Sequence, residues 1–121
     1  MTILFIGKRN LKNDAIREIV RNELELEMEQ MLPEQFLEAK KEKDDFFNRK
    51  YTSVVADIDS FDMSQIEVTL LIRKTLPATR LVVINKYTSE SLNQPLLEVG
   101  ANQYLRGNFS VEELVDSISK N

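Results

Sequence analysis

A chain of 121 residues with 30% charged side chains of both signs and a net charge of −4 is the size of one domain with a real core, spanning 1–121. The acid excess argues against direct nucleic-acid binding, which calls for a basic face. The absence of cysteine and histidine excludes disulfides, thiol chemistry and histidine acid–base or metal-ligand roles; a reducing, cytoplasmic setting is natural, and no apolar run is long enough to span a membrane.

The chain opens on Thr2–Ile6, an apolar run of strand length without the basic flank or cleavage site of a signal peptide. Gly7-Lys8-Arg9-Asn10 follows as a loop. Its single glycine is not a phosphate-cradling pattern, so a small-molecule site of flavodoxin type finds no support there. Residues 13–25 bring Ile16, Ile19, Val20 and Leu24 to one helical face, with Asn13 or Asp14 as N-cap. From Leu24 to Glu29 apolar and acidic residues alternate strictly, which predicts an edge strand over 26–30 with one wet face. Pro33 suits the first turn of a second helix, whose apolar side is bracketed by Phe36, Leu37, Phe46 and Phe47. Between them, the mixed-sign run Lys40-Lys41-Glu42-Lys43-Asp44-Asp45 reads as a solvated helix face.

Residues 51–62 organise the rest. A short β-branched run, 53–56, reads as a buried central strand that ends in acid at Asp57 and Asp59. A carboxylate at the C-terminal end of such a strand lies where open α/β sheets hold their sites. Asp59 and Asp62 suit the turn before a third helix, or its cap. Ser64-Gln65-Ile66-Glu67 is a capping box opening that helix, and Pro77 closes it after Leu76. Residues 81–84 are a second buried strand. Pro95 costs least at a first helical position, so the fourth helix is expected to start near Gln94 or Pro95, leaving 86–93 as a long loop, with Gly100 beyond its end. Residues 103–105 form a last strand, and Ser110-Val111-Glu112-Glu113 caps a last helix bearing Leu114, Val115 and Ile118.

Strands alternating with helices predict an α/β fold: five βα units in a flavodoxin-like three-layer sandwich, with a parallel sheet in the order 2-1-3-4-5. The alternating second strand suits the edge that this order gives it.

Val54-Val55-Ala56-Asp57-Ile58-Asp59, the strand from Leu81 to Asn85, and Gly100-Ala101-Asn102-Gln103-Tyr104 carry a resemblance. Together they resemble the receiver domain of bacterial response regulators, of the chemotaxis response-regulator type. In that family an aspartate takes a phosphoryl group from a phosphohistidine, helped by Mg²⁺ held near an acidic pair. The resemblance implies that Asp57 is the phosphoacceptor position and Tyr104 the switch aromatic. It also puts Gly7 and Lys8 at the acidic pair, Asn85 at the hydroxyl position and Gly107 at the phosphate-binding lysine, with Asn108 where the family has proline. Arg106 is one residue away, on the other face of the strand.

The implied pocket is thus Gly7, Lys8, Asp57, Asp59, Asn85 and Gly107, without a metal or other cofactor. The Lys8 ammonium is expected to stand where the metal would and to pair with Asp57. The expected function is a degenerate receiver, not an enzyme, acting as a phosphorylation-independent protein-interaction module. Its partner, or a second copy, would meet the face made by 91–99, Gln103–Arg106 and Val111–Ser119, with Tyr104, Arg106 and Glu112 upon it. The alternative is a receiver phosphorylated on Asp57 by a histidine kinase, with Mg²⁺.

Overall fold

The computed structural model describes residues 2–41, 51–85, 90–106 and 108–119. The strands are β1 (Thr2–Ile6), β2 (Glu27–Met31), β3 (Tyr51–Asp57), β4 (Arg80–Asn85) and β5 (Gln103–Arg106). The helices are α1 (Leu11–Leu24), α2 (Pro33–Lys41), α3 (Gln65–Thr75), α4 (Glu90–Glu98) and α5 (Val111–Ser119). All sheet pairings are parallel, in the order β2-β1-β3-β4-β5. The five-stranded sheet is the one expected, with β3 at its centre.

Alternation along the strands divides the core into two layers. Leu4, Ile6, Val54, Ala56, Leu81 and Val83 face Phe36 of α2, Val68 and Ile72 of α3 and Leu96 of α4. Ile3, Phe5, Val55, Val82, Ile84 and Leu105 face Ile16 and Val20 of α1 and Leu114 and Ile118 of α5. Each of the larger of these side chains, fully buried, contributes roughly 1.5–3 kcal/mol before entropy is set against it. Among the described residues, no helix is long and apolar enough to cross a membrane.

Local signals explain most ends. Ser64 accepts a hydrogen bond from the Glu67 N–H, and Ser110 and Glu113 cap each other reciprocally. Glu25, at φ 54, closes α1 in the left-handed region and lets the alternating strand begin two residues on.

Two expectations need correction. The N-cap of α1 is Asn10, not Asn13 or Asp14: Asn10 is extended, and its Oδ1 accepts from the Asn13 N–H at 2.8 Å. The helix therefore starts at Leu11 and frees the Asn13 side chain for another task. The fourth helix runs from Glu90 with Pro95 inside it, rather than from Gln94 or Pro95. Pro95 gives up one helical hydrogen bond. Fully buried Leu96 and half-buried Leu97, directly after Pro95, fix the helix to the core. The expected loop over 86–93 is thus helical from Glu90 onward, and 86–89 lie outside the described residues. Of the charged run, Lys40 and Lys41 end α2, and the rest of it to Asp45, with Phe46 and Phe47, lies outside the described residues.

Candidate functional site

Asp57 ends β3 and is fully buried. A buried carboxylate needs donors, and two neutral side chains supply them to Oδ2. Ser60 Oγ donates at 2.8 Å and Asn13 Nδ2 at 3.3 Å. Ser60 reaches back because the chain enters a 3-10 turn, Ile58–Ser60, directly after the strand. Asn13 reaches across because it occupies the core-facing stripe of α1, one turn before Ile16.

The first loop is sewn into this network by its backbone. The Lys8 N–H donates to Ser60 Oγ at 3.2 Å, and the Lys8 carbonyl accepts from Asn13 Nδ2 at 2.6 Å. The Lys8 side chain is exposed, and among the described residues no ion pair joins it to Asp57. This overturns the expected Lys8–Asp57 pair. An ammonium held against a fully buried carboxylate would itself be desolvated; an amide and a hydroxyl donate to Oδ2 instead.

Gly7 is buried against Asp57. A Cβ there would lie 2.9 Å from Phe5 Cε1, 3.0 Å from Asp57 Cβ and 3.3 Å from Asn13 Nδ2. The space a side chain would need at this position is taken by the Asp57–Asn13 contact.

A second chain of hydrogen bonds lies beside the first. Gln65 Nε2, at the start of α3, donates to Asp59 Oδ1 and to Asn85 Oδ1, the latter at 3.0 Å. Asn85 is buried at the end of β4, and among the described residues its Nδ2 finds no hydrogen-bond partner. Asp59 is therefore turned towards Gln65 and Asn85 and lines the groove between α2 and the β3–α3 loop.

Of the implied pocket, Gly7, the Lys8 backbone and Asp57 converge in one network, and Asp59 and Asn85 in the neighbouring one. Gly107 lies outside the described residues. Among the described residues, no group of three or more acidic side chains is placed to hold a metal ion. The Asn13 side chain turns its amide N–H₂ towards Asp57.

On the outer face, Tyr104 is half-buried against the layer of α2, α3 and α4, while Arg106 and Glu112 are exposed. Asn13, Ser60 and Gln65 were not foreseen as site residues. A signal for Asn13 existed: a polar residue at the first position of the buried stripe Asn13, Ile16, Val20 is out of place unless it has a buried partner.

No family model matches the sequence, and no curated protein matches it. Solved structures do. A CheY-like response regulator receiver domain protein from Methanospirillum hungatei JF-1 superposes with a TM-score of 0.76 at 20% identity, over 97% of this chain and 89% of that one. The beryllofluoride-activated NtrC4 receiver domain dimer gives 0.77 at 19%, over 97% and 92%. A response regulator from Burkholderia pseudomallei with a phosphorylated aspartic acid, a calcium ion and citrate gives 0.70 at 18%, over 99% of this chain and 67% of that one. The chain has the fold of response regulator receiver domains.

Proposed function

We propose that this protein is a degenerate receiver, a signal-transduction module that works by protein–protein contact and does not depend on phosphorylation. The observation that carries this reading is the hydrogen-bond network on Asp57 Oδ2. This oxygen is held by Asn13 and Ser60, with Gly7 packed on Asp57 Cβ and a lysine backbone bridging both donors. The acidic pair that would draw Mg²⁺ to a receiver is replaced by Gly7 and Lys8, so no metal step is assigned. In this reading Asp57 is a structural acid, and the chain has no enzymatic activity of its own.

The contact surface proposed is the outer face of α4, β5 and α5. Exposed Arg106 and Glu112 supply charge there, half-buried Tyr104 supplies an aromatic, and Val111 at the start of α5 is 45% exposed. Among the structural neighbours, the NtrC4 receiver domain is a dimer. The test is sedimentation and partner titration of wild type, Asp57→Asn, Arg106→Glu and Glu112→Lys. Association should survive Asp57→Asn and weaken on either charge reversal. Loss with Asp57→Asn in a folded protein would favour the phosphotransfer reading, as would insensitivity to both reversals together with a phosphoryl adduct.

A further inference from the structure

We propose that the cavity between α1 and the edge strand β2 is a site for a small zwitterion, a molecule that carries a carboxylate and an ammonium group on one methylene chain. β2 lies at the opposite edge of the sheet from β5, so the site is separate from the α4–β5–α5 face and rests on different observations. The cavity measures about 530 Å³ and is lined by the first loop, α1 and β2. That volume is in the range of small-molecule sites.

Helical spacing builds one wall. Asp14, Arg17, Glu18 and Arg21 lie three or four residues apart along α1, beside the buried stripe of Asn13, Ile16 and Val20. The buried stripe fixes the helix to the sheet and leaves the charged one along the cavity. Arg9 of the first loop joins it, and Glu27 and Met28 of β2 stand on the strand side.

Part of this charge is engaged within the chain. Arg21 pairs with Glu18 at 3.1 Å, and Glu29, also in the lining, accepts from the Tyr51 hydroxyl at 2.6 Å. Among the described residues, the side chains of Arg9, Arg17, Asp14 and Glu27 make no hydrogen bond or ion pair. Arg17 is the anchor. It is half-buried, and among the described residues its buried Nε finds no acceptor. A buried donor calls for a partner. A carboxylate in the cavity supplies two acceptors to the planar fork of a guanidinium once that fork turns outward.

The two signs of charge select the occupant. A simple anion drawn to Arg9 and Arg17 would also meet the carboxylates of Asp14 and Glu27, and a simple cation would meet the guanidiniums. A zwitterion sets each charge against its opposite. Met28 adds an apolar wall for the methylenes between them.

The experiment titrates the intact chain with ε-aminocaproate, caproate and hexylamine, followed by calorimetry and amide chemical shifts. Expected is saturable binding of ε-aminocaproate, with shifts concentrated on 14–21 and 27–29. Caproate and hexylamine each keep one of the two charges and should bind at least about tenfold more weakly. Arg17→Gln and Glu27→Gln should each weaken ε-aminocaproate about tenfold. Arg17→Lys should bind no better than Arg17→Gln, because an ammonium lacks the fork. Lys74→Gln, exposed on α3, should leave binding unchanged. Circular dichroism checks that each variant folds, and exposed Glu27 tests the site independently of half-buried Arg17. Caproate binding as tightly as ε-aminocaproate would mean a plain anion site and overturn the proposal. So would absence of saturable binding, or undiminished binding in both Arg17→Gln and Glu27→Gln.

Discussion

Asn13 Nδ2 lies 3.3 Å from Asp57 Oδ2, across 44 residues of sequence, and the same nitrogen donates to the Lys8 carbonyl at 2.6 Å. One neutral amide thus ties α1, the first loop and the central strand together at the edge where a receiver does its chemistry. Hydrogen bonds to charged groups are worth about 1.5–3 kcal/mol. Asn13→Leu should therefore destabilise the fold by about 2–3 kcal/mol in urea unfolding. Asp57→Asn should cost less, and the double variant should recover part of the Asn13→Leu loss. Additive effects would mean the contact carries no energy.

Lys8 makes the contrasting prediction. Its side chain is exposed and its role in the network is made by its backbone. Lys8→Met should shift stability by no more than about 0.5 kcal/mol and should be additive with Asp57→Asn. Coupling above about 1 kcal/mol would restore the ion pair that the geometry denies.

Gly7 is a site with little room for a side chain. A Cβ would meet Phe5 Cε1 at 2.9 Å and Asp57 Cβ at 3.0 Å. Gly7→Ala should lower stability by about 1–3 kcal/mol through overpacking. Gly7→Asp should lower it further, since a second carboxylate is forced against the first. Two variants as stable as wild type would show that this corner yields freely.

Arg73 holds the other end of α3. Its Nε donates to the Gly100 carbonyl at 2.9 Å and its Nη1 to those of Leu76, Pro77 and Thr79, while Nη2 reaches Asn102 Oδ1 at 2.7 Å. Burial pulls the guanidinium pKa downwards. Gly100, at φ +127, permits the approach: a Cβ there would lie 2.5 Å from Arg73 Cγ. Arg73→Met should cost about 3 kcal/mol in urea unfolding. Arg73→Lys should recover little of it, because one ammonium cannot serve acceptors arranged for a planar fork. Gly100→Ala should destabilise through the same contact. Full rescue by lysine would show that charge alone matters.

Much of this architecture was legible in the sequence, because each signal is local. The β-branched runs over 53–56 and 81–84, the alternation before Glu29 and the two capping boxes each fix an element from its own neighbours. The intrinsic cost of Pro95 misplaces the start of α4, since the burial of Leu96 in the core outweighs one lost hydrogen bond. The site was legible only in part. Asp57 stood out because a strand-end acid needs no distant information. Its partners were hidden because Asn13 looked like a cap, and only the completed fold shows Asn10 taking that role. Lys8 misled because charge complementarity suggests a pair, while the direction of a loop side chain depends on backbone bonds that sequence spacing does not reveal.

The central claim is that Asp57 is a held structural acid and not a phosphoacceptor. The most direct measurement is intact mass after incubating the protein with acetyl phosphate and Mg²⁺. The account predicts an unchanged mass for wild type under conditions that fully modify an ordinary receiver run alongside. A phosphoryl adduct on wild type that disappears in Asp57→Asn would contradict it.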